Sequence, residues 1–184
     1  MPTRSPLGEV LNLSGPPGAG KTTVARLLAD YAEPSVHLDD DQFMMSIRRG
    51  FILPWLTGSG DQNRTVIRAV ASAATTFARG GYWVVVDALI GPWFMDAFRA
   101  PLAASRVTLH YVILRPRLED SIARAQARGG DALTAEEPIR QLWQAFQELG
   151  PYEGHAMDLA RLSAAEVAAS VWAGVNEGRF LLKP

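Results

Sequence analysis

Gly15, Gly20, Lys21 and Thr22 occupy the fixed positions of the pattern G-x-x-x-x-G-K-[ST], with Pro16, Pro17, Gly18 and Ala19 between them. Residues of these types at this spacing hold polyphosphate. A glycine turn lets successive main-chain N–H groups converge on an anion, and a helix starting at the turn adds its positive dipole end. Lys21 then reaches the β- and γ-phosphates of ATP, and Thr22 offers its hydroxyl to Mg²⁺. Thr23, opening the helix, counts with this cradle. The chain has only two lysines, Lys21 and Lys183, against sixteen arginines. A lysine at this position in an arginine-using chain answers a chemical requirement.

Phosphoryl transfer needs little else: a metal, a group that orients or deprotonates the acceptor, and positive charge on the migrating phosphoryl. Asp39, Asp40 and Asp41 follow one another in a single turn. The candidates for the acceptor's base are Asp41, then Asp40, then Asp39, which also serves as a substrate contact. One of the three can instead cap the helix that follows. Asp87 ends an apolar run and suits a carboxylate that holds Mg²⁺ or touches the acceptor. Arg124 and Arg128, four apart and followed by Gly129 and Gly130, read as the charged face of a lid over the phosphates, spanning about residues 124–150. Arg64, Arg68 and Trp55 are candidates for the acceptor side.

The elements that position these residues alternate. Residues 9–13 read as a buried strand leading into the glycine turn, and residues 23–31 as the helix leading out, with Val24, Leu27, Leu28 and Tyr31 on one face. Strands are expected at 36–38, 82–86, 107–114 and 155–159. Helices are expected at 42–49, 64–79, from 91 to about 101, at 117–128, at 136–149, and after the capping box of Ser163 and Glu166. The runs at 82–86 and 107–114 lack polar alternation, the mark of strands buried on both faces of a parallel sheet. Helices then cover both sides, and ligands bind at the carboxyl ends of the strands. The phosphate loop, Asp39 to Asp41, Asp87 and Arg115 all stand at such ends.

With 184 residues the chain suits one domain, and a net charge of −1 gives no general field for nucleic acid or an acidic membrane. No apolar run reaches the ~20 residues of a membrane span. With no cysteine there are no disulfides or thiolate metal sites. A cytoplasmic monomer or homodimer that uses ATP and a small hydroxyl-bearing substrate is expected.

On these residues the chain resembles the small P-loop kinases that phosphorylate metabolites or antibiotics. Chloramphenicol phosphotransferase, gluconate kinase, shikimate kinase and the kinase domain of polynucleotide kinase are similar, over nearly the whole chain. The resemblance implies a three-layer α/β sandwich with a five-stranded parallel sheet of order 2-3-1-4-5. It also implies an acidic base after the second strand, lid arginines beside the nucleotide, and adenine near the terminal strand and helix. The distinctive acceptor-binding residues of gluconate and shikimate kinases have no match here, so the acceptor is open. A regulatory GTPase would need N-K-x-D and D-x-x-G, and neither occurs. A nucleotide-binding module without an acceptor, and a polynucleotide 5′-hydroxyl kinase, are the alternatives.

Overall fold

The computed structural model describes residues 8–103, 105–128, 133–159 and 162–182. Five strands, β1 (Glu9–Ser14), β2 (Ser35–Asp39), β3 (Trp83–Asp87), β4 (Thr108–Arg115) and β5 (Ala156–Asp158), form one sheet of order β2-β3-β1-β4-β5. Every pairing is parallel. The register puts Leu13 beside Asp87 and Asp87 beside Asp39. Three strands therefore end in one row, with the phosphate loop leaving from β1, the middle strand of the sheet.

The inner strands β1, β3 and β4 are buried on both faces because helices cover both, while the edge strands β2 and β5 are only partly buried. On one side α3 (Gly60–Arg79) and α4 (Pro92–Ala103) pack against Val10, Val84, Val86, Tyr111 and Ile113. On the other, α1 (Lys21–Ala29) and α7 (Ala164–Asn176) pack against Leu11, Leu13, Val85, Val112 and Leu114. In chain order α2 (Asp40–Met45) falls between α1 and α3, and α5 (Leu118–Gln126) and α6 (Glu136–Ala145) fall between α4 and α7. The Ser163 and Glu166 capping box forms at the start of α7, as the sequence indicates.

Several boundaries differ from the sequence reading. The helix expected over 42–49 is α2 and starts two residues earlier. Asp39 is its N-cap, accepting the Asp41 N–H at 3.0 Å. It also stops short of Gly50, because the Ser46 hydroxyl turns back to the Phe43 carbonyl at 2.6 Å. Helix α4 runs through Pro101 rather than ending there. Phe98 and Leu102, both buried, anchor the last turn despite the missing N–H. The stretch expected as one helix over 117–128 ends at Gln126, so Arg128 lies beyond it.

The segment after α7 covers the edge of its own β4. Tyr111 N–H donates to the Phe180 carbonyl at 2.9 Å, and Leu182 N–H to the Leu109 carbonyl at 2.8 Å. β5 reaches only Ile113 to Arg115, so this segment satisfies the part of β4 that β5 leaves open. Among the described residues no helix is long and apolar enough to cross a membrane.

Candidate functional site

The phosphate loop is forced into shape by close packing. Gly15 has φ 145° and Gly18 has φ 74°, where a side chain is strained. A Cβ on Gly15 would strike the Leu114 carbonyl, and one on Gly18 the Ser121 carbonyl. The Ser121 hydroxyl donates to the Pro17 carbonyl, clamping the loop to α5. Helix α1 begins at Lys21 itself, so its free N–H groups face the loop's concavity. Lys21, 8% exposed, folds its ammonium back onto the carbonyls of Gly15 at 3.0 Å and Pro16 at 3.4 Å.

Asp87 sits at the end of β3, next to this cradle. Burial pushes its carboxyl up, but His37, the Lys21 ammonium and the Thr22 hydroxyl outweigh burial and hold it below the usual carboxylate range. His37 Nε2 lies 3.8 Å from Asp87 Oδ2, an ion-pair distance but longer than a hydrogen bond. Neither atom has a hydrogen-bond partner among the described residues. A buried carboxylate oxygen with an unused lone pair, beside a threonine hydroxyl, is the hard oxygen set that Mg²⁺ takes. Thr22 and Asp87 therefore fit the ion that the sequence implies.

The three aspartates divide by environment. Asp41 is exposed in the first turn of α2. Asp39 caps the helix; desolvation raises its pKa against the opposing Asp41 N–H. Asp40 keeps some exposure as a residue, but its carboxyl is turned away from water. Desolvation, then the nearby Asp41 charge, push it up to about 8, against the pull of Lys21 and the Leu89 N–H. That N–H donates to Asp40 Oδ2 at 3.1 Å. The three carboxyl groups lie within 4.8 Å of one another.

The segment after β3 links the two halves. Ile90 N–H donates to the Ser14 hydroxyl at 3.0 Å, and that hydroxyl donates to the Ile90 carbonyl at 2.8 Å. The buried Tyr111 hydroxyl donates to the same carbonyl. Ser14 ends β1 at the mouth of the loop, and Leu89 holds Asp40. Lys21, Thr22, Asp87, Asp39 and Asp40 are thus brought together. Ser14, His37 and Ser121 were not singled out for this role in the sequence. Only Ser14, next to Gly15, carried a local signal there.

Among the described residues the other candidates make no hydrogen bond or ion pair to this group. Arg64 is exposed and pairs with Asp61 one turn away, at 3.4 Å. Arg68 is exposed, and Trp55 is half-buried in the segment after α2. Arg124 is exposed in the last turn of α5 and Arg128 in the turn after it, so they do not share a helix face. Gly129, Gly130 and Asp131 lie outside the described residues. Arg115, at the end of β4, is occupied: it bonds Glu153 at 2.6 Å and Asp158 at 2.7 Å, tying β4 to β5. It is not free to meet phosphate. Trp143, on α6, donates its indole N–H to the Pro116 carbonyl at 2.8 Å, docking α6 beside α5.

Comparison with known proteins agrees with this geometry. The family AAA_33, described as an AAA domain, matches residues 10–149. No curated protein matches the chain. Among solved structures, a tunicamycin resistance protein of Deinococcus radiodurans superposes with a TM-score of 0.69 at 18% identity, covering 96% of this chain and 99% of that one. The APS kinase CysC of Mycobacterium tuberculosis, in complex with AMPPNP and APS, gives 0.66 at 20% identity, covering 94% and 99%. Shikimate kinase from Acinetobacter baumannii, in complex with shikimate, gives 0.64 at 21% identity, covering 93% and 94%. The five-stranded order and the surrounding helices are those of small P-loop kinases.

Proposed function

We propose that this chain, which belongs to the AAA_33 family of AAA domains, is an ATP-dependent phosphotransferase acting on a hydroxyl of a small molecule. One observation carries the reading. The adjacent residues Leu89 and Ile90 bind Asp40 and Ser14 respectively, so one segment sets the separation of phosphate cradle and acid. The kinases among the solved structures of this fold, APS kinase and shikimate kinase, support the reaction class.

In this reading the main-chain amides from Gly15 to Thr23 hold the triphosphate. Lys21 leaves its loop carbonyls for the β- and γ-phosphate oxygens. Thr22 and Asp87 would hold Mg²⁺, which would supply charge that neutralises the phosphates. Asp40, rather than the exposed Asp41, is the acceptor's base. Its carboxylate takes the hydroxyl proton as the acceptor oxygen bonds to the γ-phosphorus. The bond from that phosphorus to the β–γ bridging oxygen breaks, and ADP leaves with the electron pair. A carboxyl pushed to about 8 has a proton affinity near the working pH, where a general base is most effective. Asp39 stays within reach of metal or acceptor. Arg124 and Arg128 belong to a lid over about 124–150 that closes on the phosphates. Arg64, Arg68 and Trp55 remain acceptor-side candidates. The cytoplasm, where ATP is plentiful, is the proposed compartment.

The test is acceptor-stimulated ADP release across sugars, sugar acids, nucleosides and antibiotics. Stimulation in the parent, lost in Asp40→Asn at near-parental ATP affinity, is expected. ATP hydrolysis that no acceptor stimulates and that Asp40→Asn leaves intact would make this a nucleotide-binding ATPase module instead.

A further inference from the structure

The end of α2 and the residues between α2 and α3 expose an unusual amount of apolar surface. Met45 is 65% exposed, Leu56 50%, and Phe51, Ile52 and Leu53 between 37% and 38%. Contiguous exposed apolar surface of this kind marks a binding site more often than scattered residues do. The segment is not slack. Gln62 donates to the Ile52 carbonyl at 2.6 Å and accepts the Ile52 N–H at 2.8 Å. Ser59 and Asn63 both donate to the Pro54 carbonyl at 2.8 Å. Polar side chains of the segment and of α3 thus fix the backbone while the apolar side chains face out. A surface held this way is preorganised for a ligand.

Its position follows from topology. Helices α3 and α4 each return the chain from the carboxyl edge of the sheet to the start of the next parallel strand. Their N-terminal ends, Gly60 and Pro92, therefore stand at the edge where the phosphate loop and Asp40 lie. The segment runs from α2 to α3 and is confined to that same edge. Trp93, 43% exposed at the start of α4, stands at the same edge of the sheet.

Charge is arranged across it. Residues 42–60 contain no acid and two arginines, Arg48 and Arg49. Both are exposed and make no ion pair among the described residues. The acidic turn at Asp39 to Asp41 precedes them. An anionic group would be drawn to the arginines and repelled by the aspartates, which fixes one orientation for a bound molecule.

Building on the phosphotransferase reading, we infer that the acceptor is an amphiphilic alcohol. Its apolar body rests on Phe51, Ile52, Leu53 and Leu56, its anionic group faces Arg48 and Arg49, and its hydroxyl points to Asp40.

Four probes separate the properties: 4-(hydroxymethyl)benzoate, benzyl alcohol, gluconate and glucose, titrated by calorimetry into the full chain holding AMPPNP and Mg²⁺. The aromatic acid is expected to bind at least about ten-fold tighter than the other three. Its affinity should fall in Arg48→Gln/Arg49→Gln, with added salt, and in Leu53→Ser/Leu56→Ser, while AMPPNP binding holds in every variant. Gluconate, glucose or benzyl alcohol binding as tightly as the aromatic acid would overturn the inference. So would sedimentation showing two copies joined through this face and separated by Leu53→Ser/Leu56→Ser. Binding is read without turnover. A chain that binds the aromatic acid as expected but transfers phosphate to no acceptor would sink the phosphotransferase reading alone.

Discussion

Asp40 Oδ2 accepts the main-chain N–H of Leu89 at 3.1 Å, across 49 positions of sequence. This bond turns one of three consecutive acids into the crevice beside Lys21 and leaves its neighbour Asp41 in solvent. Asp40→Asn keeps the side chain's shape and its acceptor for Leu89 but cannot take a proton. Turnover should fall roughly a hundred- to ten-thousand-fold, with ATP affinity within about two-fold of the parent. Asp41→Asn should cost far less. Steady-state kinetics with nucleotide titration checks both, and equal losses would return the base to the turn as a whole.

The same carboxyl sets a pH dependence. With its proton held up to about 8, the free enzyme should gain kcat/KM as pH rises from 6 toward about 8 and then level off. Stability runs the other way. The folded carboxyl binds a proton that the unfolded chain has released above the ordinary value of 3.8, so this group's contribution is lost as pH rises through about 8. Asp40→Asn should flatten the fall in Tm over that window. A pH-rate profile and thermal melts of parent and variant check this, and matching melts would contradict it.

Lys21→Ala removes an ammonium that donates to the loop carbonyls of Gly15 and Pro16. The fold should survive, with circular dichroism unchanged, while productive ATP binding is lost. A variant that still transfers phosphate at parental ATP affinity would refute the assignment of the loop.

Ser14→Ala removes a hydroxyl that both accepts from and donates to Ile90, leaving the buried Ile90 N–H unpaired while Tyr111 still donates to the Ile90 carbonyl. It should cost about 1–3 kcal/mol, or a Tm drop of roughly 2–4 °C per kcal/mol for a chain of this size. If the 88–90 segment sets the spacing of cradle and base, turnover should fall as well. A stability loss with unchanged turnover would separate the two roles.

Arg128→Ala should lower kcat more than it weakens ATP binding, as expected of a charge that reaches the phosphoryl only when the lid closes. Equal losses in kinetics and in nucleotide titration would make Arg128 a ground-state anchor.

The sequence by itself determined what neighbouring residues can carry. The loop of Gly15 to Thr22, the alternation of apolar strands with amphipathic helices, and the acids at strand ends are local patterns that point to a parallel sheet; its order 2-3-1-4-5 is implied by the resemblance to small P-loop kinases. Tertiary structure decided which of those acids is desolvated, because that depends on what packs against each one. It assigned Asp39 to capping and Asp40 to the crevice. It occupied Arg115 with Glu153 and Asp158, and joined Ser14 to Ile90 across 76 positions. Burial, pairing and proton affinity arise between residues far apart in the chain, so only the folded molecule brings them together.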